Sequence, residues 1–246
     1  ASSADEVILI VGTNSDWETE GNDRADFNLP ANQNKLIEVI LEANQNTVIV
    51  INTGSPVHMP WEKKANAIVQ TWFAGQEFGN ALVDILSGQV NPSGKLPTPF
   101  PAKIEDTPAY KIYPGNDLQM NYDEKLLVGY RWYERNLIKP LFCFGHGLSY
   151  TKFNYQNLEI AKGNDFAVSC KFEVQNIGDI SGFETAQCYV GFSEPLSQEP
   201  CKTLQGFVKE EIGANELKKL EIKLGPRNFS YWSVDTNSWQ IRRGTY

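Results

Sequence analysis

An uninterrupted apolar run, Val7-Ile8-Leu9-Ile10-Val11, closes on Gly12 a few residues into the chain. A run of this length without polar alternation predicts a strand of a parallel sheet, buried on both faces. A polar loop follows it. Pro30 then offers a good first helical residue, Leu36, Val39, Ile40 and Ala43 recur at helical spacing, and Val48 to Ile51 reads as a second buried strand. The pattern repeats, with a strand from Ala67 to Trp72 and a helix from Glu77 to Leu86 that Gly88 stops. Alternating strands and helices imply an open α/β sheet, and in such sheets functional loops gather beyond the carboxyl ends of the strands. The loop after Gly12 occupies such a place.

The periodicity then changes. From Lys103 to Thr151 the chain is rich in Pro, Gly, Asn and aromatic residues without a sustained period, which predicts an irregular connector anchored over the sheet by its aromatics. Past Phe153 apolar and polar residues alternate, most clearly in Phe166-Ala167-Val168-Ser169-Cys170-Lys171-Phe172-Glu173-Val174, with turn signals at Gly163-Asn164 and Asn176-Ile177-Gly178. Five to seven short strands without a helix indicate a β-sandwich. The expected architecture is therefore an open α/β sandwich with its connector over residues 1–151, then an all-β sandwich over 152–246. The first residues run almost directly into a strand, without Met or a signal peptide, and Tyr246 falls where another strand would begin, so truncation at both ends is expected.

Composition excludes several classes. A length of 246 residues suits one or two domains, and a net charge of −8 without a Lys/Arg cluster argues against nucleic acid as a partner. No apolar run approaches the roughly 20 residues of a membrane-spanning helix. The four cysteines Cys143, Cys170, Cys188 and Cys201 contain no CxxC pair, which disfavours zinc and leaves room for one disulfide. His58 and His146 have no Cys or His at ligand spacing, so no metal is expected. Gly88 to Gly94 lacks both the P-loop and the dinucleotide spacing, and no Gly-x-Ser-x-Gly elbow occurs. Asn228-Phe229-Ser230 is a glycosylation sequon that matters only in a secreted protein, and the compartment stays open.

Charge is uneven. Before Lys35 the acids Asp5, Glu6, Asp16, Glu18, Glu20, Asp23 and Asp26 face one base, Arg24. Carboxylates on a loop beside Trp17 have the ingredients of a proton donor, because partial desolvation and neighbouring negative charge both raise a carboxyl pKa. The same residues also suit a solvated acidic loop tied down by Arg24.

The segment from Val7 through Trp17-Glu18-Thr19-Glu20-Gly21-Asn22-Asp23-Arg24 to Leu29-Pro30 resembles the C-terminal α/β sandwich of glycoside hydrolase family 3, in which a Glu-Gly-x-Asp-Arg loop supplies the acid/base. Further pieces resemble that family in the same order. They include Gly54-Ser55-Pro56, Gln70-Thr71-Trp72, Asn91-Pro92-Ser93-Gly94-Lys95-Leu96-Pro97, Gly129-Tyr130-Arg131-Trp132-Tyr133-Glu134 and Phe144-Gly145-His146-Gly147. Past Phe153, Leu204-Gln205-Gly206-Phe207 and Arg227-Asn228-Phe229 resemble the family's fibronectin-III-like domain.

The resemblance implies that Glu20 is the general acid/base of a retaining, exo-acting β-glucosidase acting on terminal non-reducing β-D-glucosyl residues without a cofactor. Its nucleophile would be an Asp on an N-terminal (β/α)8 barrel of the same protein, outside this chain. Ser15-Asp16-Trp17 spells the family's nucleophile motif but stands in the wrong place, so Asp16 is not expected to be the nucleophile. Glu18 competes with Glu20 as proton donor. Asp23 and Arg24 are expected to order the loop by ion pairing, with holding the barrel interface as the alternative, and Trp17 either packs against substrate or against the loop itself. Trp72, Phe73, Tyr130, Trp132 and Tyr133 are expected to serve packing. Expected partners are β-glucosides and the barrel, with homo-oligomer formation left open. β-Xylosidase or another exo-glycosidase of the family, and a non-catalytic carbohydrate-binding or scaffold module, are the alternatives. A protective-antigen-like domain inserted upstream would also fit.

Overall fold

The computed structural model describes residues 1–115, 119–196 and 198–246. Its first half is built on a three-stranded parallel sheet in the order β1 (Val7–Gly12), β2 (Thr47–Asn52), β3 (Ala67–Gln70). Val7 lies opposite Thr47, Gly12 opposite Asn52, and Ile49 opposite Ile68. Helix α1 (Gln33–Ala43) crosses from β1 to β2, and its Ile37 and Leu41 are buried against Val11, Ile49, Ile51 and Phe100. Trp61 completes this core, with its indole N–H satisfied by Asn34 Oδ1 at 2.9 Å.

Two expectations about this sheet need correction. Strand β1 is not buried on both faces: Val11 packs inward, but Ile8 and Ile10 on the opposite face are 57% and 56% exposed. An apolar run shows that both faces suit burial, and here only one has a covering layer. The helix also begins at Gln33 rather than at Pro30, because Ala31 at φ 51° breaks the helical path. Its buried stripe is Ile37 and Leu41, while Leu36 and Val39 stay about half exposed.

Strand β3 ends at Gln70, short of Trp72, whose φ of 56° turns the chain away. Helix α2 (Phe78–Leu86) forms where expected, yet none of its residues is fully buried. The connector is more regular than its sequence suggested. It contains a 3-10 turn at Ile104–Asp106 and a short helix, α3 (Tyr130–Arg135), stitched together by the Trp132 indole N–H donating to the Asp106 carbonyl at 3.0 Å. Phe100 meets Trp72 and Phe142 edge-on, and Tyr130 stacks on Phe144, so these aromatics serve packing. Phe73 is the exception, being 52% exposed.

The second half is all-β. One antiparallel sheet has the order β4 (Phe153–Lys162), β5 (Val168–Asn176), β8 (Leu217–Leu224); a second pairs β6 (Gly182–Val190) with β7 (Thr203–Ile212). A hairpin of β9 (Ser230–Ser233) and β10 (Ser238–Ile241) follows. Cys170, Phe172, Val174, Ala186, Ile212, Leu220, Ile222 and Leu224 form the core between the sheets. Buried Asn176 ties the sandwich entrance, donating to the Ile180 and Ile212 carbonyls and accepting from the Thr151 hydroxyl. The expected alternation holds in β5 and β8, but Phe166 lies outside the strand in a turn at φ 60° and is largely exposed. Residues 242–246 are not a strand.

The halves meet along β6 and the start of β7. The Lys95 ammonium pairs with Glu184 at 3.2 Å, Leu204 N–H donates to the Tyr130 hydroxyl at 2.8 Å, and Asn91 Nδ2–H donates to the Ser181 carbonyl at 3.1 Å. Among the described residues no helix is long and apolar enough to cross a membrane.

Candidate functional site: the acidic loop after β1

Local geometry first fixes where the loop leaves the sheet. A Cβ on Gly12 would stand 2.1 Å from the Asn52 carbonyl oxygen, so only glycine lets β1 and β2 stay paired to this point. The Gln33 side chain grips the same residue, its Oε1 accepting from Gly12 N–H at 2.8 Å and its Nε2 donating to Gly12 O at 2.9 Å. The first turn of α1 and the end of β1 are thereby joined, and the loop rises from a rigid base.

The next residues coil back. Asn14 Oδ1 accepts from Asp16 N–H at 3.2 Å, and the Asn14 carbonyl accepts from the N–H groups of Trp17 and Glu18. Glu18 is thereby brought over the end of β2. Its carboxylate accepts from the Thr13 hydroxyl at 2.6 Å and from Gly54 N–H at 3.2 Å, and faces the Arg24 guanidinium at 3.9 Å. All three contacts fall on one carboxylate oxygen, Oε1. A Cβ at Gly54 would stand 2.6 Å from Glu18 Oε2 and 2.8 Å from the Phe73 ring, so loops from all three strands converge here.

Glu20 is placed differently. A bridge between Thr19 and Asn22 makes Glu20 and Gly21 the tip of a tight turn, with Gly21 in the left-handed region at φ 82°. Among the described residues no hydrogen bond or ion pair engages the exposed Glu20 carboxylate. Trp17 is half-buried, and its indole N–H has no hydrogen-bond partner among the described residues. Beyond the turn, the Tyr113 hydroxyl donates to Asp23, and that bond is the first cause of a raised Tyr113 pKa. The exit is anchored by buried Phe27 and Leu29 and by His58, whose N–H donates to the Phe27 carbonyl at 2.7 Å.

Of the two residues expected to order the loop by ion pairing, Arg24 faces Glu18 within the loop, whereas Asp23 takes the hydroxyl of Tyr113 from the connector. Sequence reasoning missed Tyr113, Gly54 and His58 as parts of this loop, because each reaches it from a segment distant along the chain. Beside the loop, Arg24, Phe27, Pro56, Ile104 and Tyr133 line a cleft of about 330 Å³ that neither Trp17 nor Glu20 borders. Burial first, then the Asp106 charge, pushes the Tyr133 phenol up to about 12, so it stays protonated at neutral pH. Among the described residues no three His, Cys, Asp or Glu side chains are grouped to hold a metal ion.

The chain can be set beside known proteins. Residues 1–150 match the glycosyl hydrolase family 3 C-terminal domain, and residues 184–246 a fibronectin type III-like domain. It is 39% identical over 249 residues to thermostable beta-glucosidase B of Acetivibrio thermocellus, covering all of this chain but 33% of that protein. The beta-glucosidase of Kluyveromyces marxianus, solved in complex with glucose, superposes with a TM-score of 0.92 at 38% identity, covering 99% of this chain and 29% of that one. A family 3 beta-glucosidase of Bifidobacterium adolescentis gives 0.93 at 34% identity, covering 98% of this chain and 36% of that one. The chain thus spans about a third of the length of such relatives, with its α/β and fibronectin-III-like parts in one order, and it belongs to glycoside hydrolase family 3.

Proposed function

We propose that these residues are the acid/base-bearing portion of a retaining, exo-acting β-glucosidase that removes terminal non-reducing β-D-glucosyl residues. The observation that carries this reading is the contrast between two carboxylates on one loop. Glu18 is engaged through its Oε1 by Thr13, Gly54 and Arg24, whereas Glu20 stands unengaged at the tip of a turn held by its own backbone. A proton donor must reach the leaving oxygen, and an engaged carboxylate would first have to break its bonds.

In this reading Glu20 protonates the glycosidic oxygen as the C–O bond breaks, then takes a proton from the water that attacks the glycosyl-enzyme. The nucleophile is an Asp on an N-terminal barrel of the same polypeptide, about 5 to 5.5 Å from Glu20 once substrate is bound. Asp16 is not that residue: it lies in the Asx turn that shapes this loop. Trp17 borders the sugar. The α/β part with its connector extends to residue 151 and the fibronectin-III-like part from 152. The uncovered apolar residues Ile8, Ile10 and Val83 support a further layer of protein over the first half.

The test uses the full-length protein with aryl β-glucosides, β-xylosides and N-acetylglucosaminides of graded leaving-group ability. Glu20→Ala should lose about 10²- to 10⁴-fold on poor leaving groups, lose less on activated ones, and yield β-glucosyl azide when azide is added. A folded Glu20→Ala enzyme with full activity on every leaving group would sink the assignment, and a preference for xylosides would move the substrate but not the mechanism.

A further inference from the structure

A cavity of about 1110 Å³ opens between the two sheets of the second half, far from the acidic loop, and two thiols line it. Cys170 points inward from β5 and is buried in the inter-sheet core; Cys188 points inward from β6 and packs against the same core. Register explains why they meet. Cys170 lies opposite Ile222 of β8, and Cys188 lies opposite Gly206 of β7, so both cysteines sit at one level of the sandwich.

Gly206 lets the sheets close at that level. A Cβ there would stand 2.6 Å from the Ile222 side chain, closer than packed atoms approach, so any larger residue would hold the sheets apart. Cys170 and Cys188 are consequently neighbours in one core and line one cavity, and burial, followed by the Cys170 neighbour, pushes the Cys188 thiol pKa up. Both are free thiols in this structure.

We propose that Cys170 and Cys188 form a modification site, at which a two-electron oxidant as small as hydrogen peroxide joins the facing thiols into a disulfide that cross-links the two sheets. One thiol, as its thiolate, attacks the peroxide, the O–O bond breaks, and a sulfenic acid and hydroxide form. The second thiol attacks that sulfur and gives its proton to the departing hydroxyl, which leaves as water, while the proton released by the first thiol turns the hydroxide into a second water. Two thiols and one peroxide thus become one disulfide and two waters. The cavity admits a molecule of that size to both sulfurs.

The position gives the bond a consequence. Cys188 lies between Gln187, which packs against Gly145, and Tyr189, which meets Tyr130 edge-on, so β6 is the strand that docks the sandwich onto the first half. A cross-link from β6 to β5 would fasten that docking strand to the opposite sheet. Closing a loop of about 20 residues should raise the unfolding midpoint of the second half by roughly 10–25 °C.

The full-length protein should be treated with hydrogen peroxide, denatured, alkylated and digested without reduction, with Cys143 and Cys201, both exposed, as internal reporters. The expected product is one linked pair of peptides carrying Cys170 and Cys188, two hydrogens lighter than their sum, with a midpoint that falls back on reduction. The same treatment of a Cys143→Ser, Cys201→Ser double variant should give the same pair. Oxidation of the exposed cysteines while Cys170 and Cys188 remain alkylatable, or sulfinic acid at either without the link, would overturn the proposal.

Discussion

Glu18 illustrates how much a single partly buried carboxylate can hold. Its side chain is 16% exposed and accepts from a hydroxyl and a backbone N–H while facing a guanidinium with 23% exposure. Removing the acceptor would strand those donors in a partly desolvated place, and stranding costs more than the bonds contribute when made. Glu18→Ala should therefore destabilise the protein by about 2 kcal/mol in urea unfolding, and Glu18→Gln, which keeps an acceptor, by less. Activity offers an independent reading. Glu18→Ala should lower turnover equally on good and poor leaving groups, because it loosens the loop without removing the proton donor; a loss that grows as the leaving group worsens would instead make Glu18 the acid. Of this arrangement, the sequence marked Glu20 through its motif but could not separate the tasks of two carboxylates two positions apart. Their difference depends on Gly54, which follows β2, and on Arg24, which the charge pattern pointed toward several acids at once.

At the level of the element, α1 shows why periodicity can find a helix and still choose the wrong face. Leu36, Val39 and Ala43 share one side, and Ile37 and Leu41 share another; both sets recur at three- or four-residue spacing. What decides between them is the exit from β1, where Gln33 clamps Gly12 and fixes the rotation of the first turn. Leu41 is fully buried and Val39 is 48% exposed. Leu41→Ala should therefore cost about 2–5 kcal/mol, as expected for a core leucine, and Val39→Ala within about 0.5 kcal/mol. Chemical denaturation of both variants checks this, and equal losses would mean that the helix is rotated. Strands β1, β2 and β5 were legible because strand signatures are local. Helix α3 was not: its six residues are too few for a period, and Trp132, held by the Asp106 carbonyl, is what keeps it in place.

For the whole molecule, the order of an α/β half and an all-β half was legible from the change in periodicity near Phe153, whereas the way they dock was not, because its contacts join residues far apart in the chain. The central contact is a small network. Lys95 Nζ lies 3.2 Å from Glu184 Oε2 and donates to the Gly147 carbonyl at 2.9 Å, while Glu184 Oε1 accepts from the Tyr155 hydroxyl at 2.9 Å. Burial, followed by the Glu184 charge, raises the Tyr155 pKa, so the phenol remains a donor at neutral pH. Lys95 and Glu184 side chains are 19% and 14% exposed, which distinguishes them from surface pairs of little net worth. With water largely excluded, losing one partner leaves the other charge desolvated and uncompensated. Lys95→Met and Glu184→Gln should each destabilise by about 3 kcal/mol, while the double variant should cost clearly less than their sum. Calorimetry adds a reading specific to docking: if this network couples the halves, each single variant should split one unfolding transition into two, with the all-β half melting separately. Additive losses with one undivided transition would place the coupling elsewhere, in the Tyr130, Phe144 and Tyr189 aromatic contact.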